Sequence, residues 1–283
     1  MFKRLVTLLN IVVTNPLSIP KVYRTSQERY ENEKFYKYIQ NQRIIWHFCS
    51  PKSASTYLMR IFEKISIINN SINILKMFRS GHNRNNIIDL EYFYKNLKKN
   101  KINITTHSHT LPTEDIVKCF SNKHTIIVQT RNILDTLVSL NDGMKHSQKK
   151  FWIPFAYKYW NNKKIDKYND LIFNYLPFHI NFLNGWLKFN SENSNLNIIF
   201  IKYKDIIDNR NHIKIFNSIF NKYHKIKIDY DNDIEKSLHN NFNIGKIGRG
   251  INEVPKKYID EINYKLSSND HFGYKLEKYL YND

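Results

Sequence analysis

Residues 43–58 read Arg43-Ile44-Ile45-Trp46-His47-Phe48-Cys49-Ser50-Pro51-Lys52-Ser53-Ala54-Ser55-Thr56-Tyr57-Leu58, and the character of the chain changes halfway along. Ile44 to Cys49 is a short apolar run closed by the Ser50-Pro51 turn signal, the pattern of a buried strand. Beyond the turn, Leu58, Ile61, Phe62 and Ile65 recur at helical spacing. The segment between carries Lys52 and the hydroxyls of Ser53, Ser55 and Thr56. Backbone N–H groups at a helix start bear partial positive charge, and Lys52 adds a full one, so the stretch reads as a phosphate or sulfate cradle. An ordinary capped helix beside a lysine would give the same letters. There is no glycine here and the lysine precedes the hydroxyls. The Gly-x-x-x-x-Gly-Lys-Ser/Thr loop of ATP and GTP hydrolases is therefore disfavoured.

The rest of the chain bounds what such a cradle can serve. At 283 residues and 41% apolar content a sizeable core can form. Glycine and proline number seven each, and no linker or repeat interrupts the pattern, so one domain is expected over residues 43–283, preceded by a helical and polar extension over 1–42. A net charge of +19 attracts anions, but the lysines are spread along the chain and mark no single nucleic-acid patch. Cys49 and Cys119 make neither a disulfide framework nor a metal motif, and Cys49 reads as a reduced core thiol. Phe2-Lys3-Arg4 followed by Leu5 to Val13 reads as a packed or membrane-grazing helix ahead of a secretory signal. No apolar run approaches the ~20 residues that span a bilayer.

Three more strands are expected. Lys101 to Thr106 alternates and ends at His107-Ser108-His109, where ligands bind in open parallel sheets. Either histidine suits a general base, or both are structural. His-x-His also suits a metal, but no further ligands lie nearby and no metal is expected. Thr125 to Thr130 runs into Arg131, and Leu134, Leu137 and Val138 mark a helix that carries Ser139 two turns in. Arg131 offers a forked grip on phosphate, or a salt bridge to Asp135. Leu196 to Tyr203 is the fourth strand. Residues 143–190 are rich in Phe, Tyr and Trp, either as an aromatic cap over a site or as helices with aromatic cores. Asn243 to Gly250 gathers three glycines, Gly245 among them, with Lys246 and Arg249, a loop that lets backbone approach an anion.

In this order the pieces resemble sulfotransferases that use 3′-phosphoadenosine 5′-phosphosulfate (PAPS). That family's phosphosulfate loop, Pro-Lys-Ser-Gly-Thr-Thr-Trp, is matched by Pro51-Lys52-Ser53-Ala54-Ser55-Thr56-Tyr57. Its Lys-Thr-His is matched by Thr105-Thr106-His107, and its Arg-Asn-Pro-x-Asp-x-x-Val-Ser by Arg131 to Ser139 with the same spacing. Its strand-ending Tyr-Glu-Asp is echoed by Tyr203-Lys204-Asp205, and its Arg-Lys-Gly-x-x-Gly by Gly245-Lys246-Ile247-Gly248. Ala54 replaces a glycine, so the loop either avoids positive φ there or tolerates strain; Tyr57 replaces a tryptophan and Thr105 a lysine. Asn243 and Ile244 replace the Arg-Lys pair, which leaves Lys246 or Arg249 to supply that grip.

The resemblance implies a single-domain α/β fold, a central parallel sheet flanked by helices with a P-loop-like strand-loop-helix. It implies transfer of a sulfuryl group from PAPS, with 3′,5′-bisphosphoadenosine (PAP) as product, to a glycan, lipid or small-molecule acceptor, without a metal. Lys52, Ser53, Ala54, Ser55, Thr56 and Tyr57 would hold the phosphosulfate end, and Arg131, Ser139, Tyr203, Gly245 and Lys246 would complete the nucleotide site. Lys52 would stabilise the leaving oxygen and His107, or His109, would be the base. The compartment implied is the cytoplasm, with membrane contact through residues 2–13. An atypical small-molecule or nucleoside kinase would instead bind ATP with magnesium, and a nucleic-acid-binding protein would show salt-dependent binding to any polyanion.

Overall fold

The computed structural model describes residues 26–55, 58, 70–73, 90–106, 109–146, 166–207, 215, 247–270 and 273–281. Five strands among them, β1 (Arg43–Cys49), β2 (Asn70–Asn73), β3 (Ile102–Thr106), β4 (Thr125–Thr130) and β5 (Asn197–Lys202), form one sheet in the order β2-β3-β1-β4-β5. Every pairing is parallel. The expected α/β architecture with a central parallel sheet is the one observed. Four strands fall within a residue or two of the sequence expectation; β2, in the Asn-rich stretch 66–100, is additional.

Parallel sheets are covered on both faces, so their strands are apolar on both sides. Alternate residues Ile44, Trp46 and Phe48 of β1 and Ile126 and Val128 of β4 join one core. Over it pack α1 (Ser26–Gln40) through Ile39, α2 (Leu90–Asn96) through Phe93, and α3 (Glu114–Val117) through Ile116. Helix α1 lies within the stretch 1–42 that the sequence sets apart as an extension, and it packs on the same core as the central strand.

A second core joins α4 (Ile133–His146), α5 (Lys167–Asn174), α6 (Leu176–Glu192) and a later helix over Lys256–Ser268. Helix α6 serves both cores. Phe182, Trp186 and Phe189 face the sheet, while Ile180, Leu183 and Leu187 face the helices. A helix apolar all round is a buried one. The aromatic residues of 176–190 are therefore core residues, the second of the two sequence readings; residues 147–165 lie outside the described part, as do residues 2–13. Among the described residues no helix is long and apolar enough to cross a membrane.

One polar contact inside the first core has a measurable consequence. Trp46 Nε1 donates to His124 Nδ1 at 3.1 Å, and His124 Nε2 donates to the Ile39 carbonyl at 3.1 Å. Both ring nitrogens of the neutral imidazole are thus used, and burial pushes the pKa down to about 4. The folded value lies below the ordinary ~6.5, so the unfolded chain binds the extra proton first as pH falls. Stability from this residue is complete above pH ~6.5 and is lost between there and pH ~4, by about 3 kcal/mol. Urea unfolding at pH 7 and pH 4.5 checks it: His124→Asn should be less stable at pH 7 and should show a smaller acid loss than the parent chain.

Candidate functional site

The chain leaves β1 towards the β2–β3 edge and leaves β4 towards β5, so the sheet order reverses between these two central neighbours. Side chains and loops at the C-terminal ends of strands flanking such a reversal line a crevice, the usual ligand position of open parallel sheets. The register pairs Cys49 with Gln129. The Ser50-to-Ser55 loop and Arg131 therefore leave the sheet side by side.

The loop is held tightly. The Ser50 N–H donates to the Gln129 carbonyl at 2.9 Å, and Ser53, fully buried, donates through Oγ to the Ser50 carbonyl at 2.6 Å. Leu58 N–H donates to the Ala54 carbonyl at 3.2 Å, the bond that opens a helix. Lys52 and Ala54 have φ of 61° and 66°, the left-handed region that glycine occupies freely. Of the two expectations for Ala54, the loop tolerates the strain, at a cost of roughly 1–2 kcal/mol for each of the two residues. Ser53's hydroxyl is turned inward and its proton is used within the loop.

Lys52 is exposed, and its side chain runs out over α4. A methyl group on Gly143 would meet the ammonium at 2.7 Å, so the flexible end of Lys52 lies directly over the bare helix backbone there. Partial removal from water, the most important cause, and the charge of Arg131 lower the Lys52 pKa, while Asp142 opposes them. Ser139, partly buried, lies on α4 four residues before Gly143 and so on the same helix face.

Arg131 is buried under the loop. Its Nη1 donates to the Lys52 carbonyl at 3.0 Å, its guanidinium sits 4.0 Å above the ring of Tyr203, and its Nε is buried without a protein partner. Tyr203 opens α7 (Tyr203–Ile207) directly after β5 and is itself buried, so a third strand end contributes to the same crevice. Arg131 therefore meets Lys52 and Tyr203, and the alternative salt bridge to Asp135 is not formed. Asn132 caps α4, accepting from the N–H groups of Leu134 and Asp135 at 3.0 and 3.2 Å. The Asp135 carboxylate takes the N–H groups of Gly250 at 2.6 Å and Gly248 at 2.9 Å. It thereby ties the end of the late glycine loop, and α8 (Arg249–Glu253), to the start of α4. Arg249, offered by the sequence as a substitute phosphate grip, is instead engaged by Asp142 at 2.9 Å and Glu253 at 2.7 Å. Two carboxylates neutralise it, which argues against that role.

His109 lies at the edge of the loop. Its Nδ1 donates to the Cys49 carbonyl at 2.7 Å, which leaves the neutral ring's lone pair on Nε2. Cys49 beneath it is buried, and burial pushes its thiol up, away from thiolate chemistry. Thr56, Tyr57, His107, Gly245 and Lys246, all named from the sequence, lie outside the described residues. Lys52, Ser53, Ala54, Ser55, Arg131 and Tyr203 are gathered at the adjoining C-terminal ends of β1, β4 and β5, with His109 reached through Cys49. Gly143 and the role of Asp135 carried no signal in the sequence beyond a glycine in a helix and a motif position.

No family model and no curated protein matches this sequence. A crystal structure of the mouse sulfotransferase SULT7A1 complexed with PAP does match, with a TM-score of 0.52 and 17% identity, covering 87% of this chain and 94% of that one. Over nearly the whole of both molecules, then, this chain has the fold of a sulfotransferase.

Proposed function

We propose that this chain transfers a sulfuryl group from PAPS to a hydroxyl or amine acceptor, of the glycan, lipid or small-molecule class. The observation that carries the reading is the meeting of two cationic elements, the Lys52 loop after β1 and Arg131 after β4, in direct contact at 3.0 Å. The residues fit a doubly phosphorylated nucleotide. Ser50 Oγ and Arg131 Nε are buried with no protein partner beside the crevice, donors of the kind that phosphate oxygens satisfy. The solved neighbour was crystallised with PAP.

In this reading bound PAPS supplies an activated sulfuryl group on its 5′-phosphate. Lys52 and the loop N–H groups hold that end, and Arg131 with Ser139 holds the 3′-phosphate. Tyr203 fixes the plane of the Arg131 guanidinium by lying beneath it. His107 takes the acceptor's proton as the acceptor oxygen or nitrogen bonds to sulfur; His109, with Nδ1 committed to Cys49, is the second candidate for this role. Lys52 neutralises the charge that collects on the departing phosphate oxygen.

Calorimetry on the full chain tests the proposal. Adenosine 3′,5′-bisphosphate should bind at least ~10-fold more tightly than AMP, a difference of ~1.4 kcal/mol, and more tightly than ATP with magnesium. Equal affinity for AMP, or preference for ATP with magnesium, would overturn it.

A further inference from the structure

We infer that Gln129 is a positioning residue for the anion loop, its buried carboxamide holding the Ser53 carbonyl inward so that the Ala54 N–H is presented to the 5′ end of the nucleotide. The inference rests on the proposed sulfuryl transfer and adds to it a residue outside the family-like motif.

Gln129 is fully buried near the end of β4, on the same sheet face as His47 of β1. Its carboxamide spans two partners. Nε2 donates to the Ser53 carbonyl, and Oε1 lies 2.7 Å from His47 Nε2. The Ser53 oxygen only accepts, so the amide nitrogen must face the loop and the amide oxygen must face the ring. His47 is thereby the donor through Nε2, and it locks the carboxamide from behind. The Gln129 main-chain carbonyl also accepts from Ser50 N–H at 2.9 Å. One residue therefore grips both ends of the segment that bears the positively charged Lys52.

The gripped carbonyl is the one that matters. Ser53 sits between Lys52 and Ala54, the two non-glycine residues in left-handed conformation. A glycine would adopt that geometry without cost; a lysine and an alanine do not. The strain and a buried amide hydrogen bond are of the same order, so the bond decides whether the loop keeps its shape. In a planar trans peptide the C=O and the following N–H point in opposite directions. Holding the Ser53 carbonyl towards the sheet turns the Ala54 N–H away from it.

Gln129→Met keeps the length and removes both hydrogen bonds. Calorimetry should show its affinity for adenosine 3′,5′-bisphosphate reduced about tenfold. Affinity for adenosine 3′-monophosphate, which has no 5′-phosphate, should be unchanged. Adding Ala54→Gly should restore most of the loss, because glycine takes positive φ without help. If Gln129→Met does not fold, Gln129→Asn is one methylene too short to reach and should behave likewise. A parent chain that does not distinguish the bisphosphate from the 3′-monophosphate defeats the functional reading itself. A parent that does, with variants that weaken both ligands equally or neither, or that Ala54→Gly fails to rescue, overturns the role of Gln129 alone.

Discussion

Arg131→Ala should lower the affinity for adenosine 3′,5′-bisphosphate by about 100-fold, the equivalent of ~3 kcal/mol and the upper range for hydrogen bonds to a charged group. A forked guanidinium pays little entropy to meet a phosphate, because Tyr203 holds its plane and the Lys52 carbonyl holds one edge. AMP affinity separates two roles. If Arg131 holds the 3′-phosphate, AMP binding stays within a few-fold of the parent. If its main task is to brace the Lys52 carbonyl, AMP and bisphosphate weaken together. Arg131→Lys preserves charge but not the fork or the stacking, so it should recover only part of the bisphosphate affinity. An Arg131→Ala chain that binds the bisphosphate as the parent does would remove the second anion grip from the scheme.

Why Arg131 could be picked out of the sequence, while its surroundings could not, follows from the range of the interactions. A strand end followed by a helix fixes Arg131 and Ser139 relative to one another through local geometry, so their spacing is legible. The strands β1 and β4 were legible because both of their faces are buried and each carries a mostly apolar run, Ile44 to Cys49 and Ile126 to Val128. Strand β2, Asn-Ser-Ile-Asn, is a short edge strand with a single apolar residue, and its pairing with β3 is a tertiary fact. The same holds inside the site. Asp135 meets glycines more than a hundred positions later, Gly143 lies under a lysine from another element, and Gln129 in an apolar strand looks like an interruption until the loop folds over it. Even the Ala54 substitution, visible as a departure from the family-like loop, carried no indication of whether the backbone would avoid the strain or accept it.

Gly250→Ala should be the most damaging of the glycine-to-alanine changes among the described residues, costing about 3–5 kcal/mol from overpacking and from loss of charge-assisted hydrogen bonds. A methyl carbon there would fall 2.3 Å from Leu134 Cβ and 2.4 Å from the Leu134 carbonyl carbon. Those atoms belong to the first turn of α4, where the backbone cannot yield without disturbing the Asn132 cap. Helix α8 must therefore move outward, and the Gly250 and Gly248 N–H groups leave the Asp135 carboxylate. That carboxylate is almost fully buried, so it is left with a net charge and no donors. Gly248→Ala is the internal control. It has open space around the added methyl but φ of 78°, so its cost is conformational alone, roughly 1–2 kcal/mol. Denaturant unfolding of the two variants should separate them by a factor of two or more in free energy. These two bonds tie Gly248 and Gly250 to the start of α4, beside Arg131, so Gly250→Ala should also weaken bisphosphate binding at temperatures where the chain is still folded. Equal stability losses at the two glycines would mean that the close approach of α8 to α4 is not what the glycine at position 250 provides.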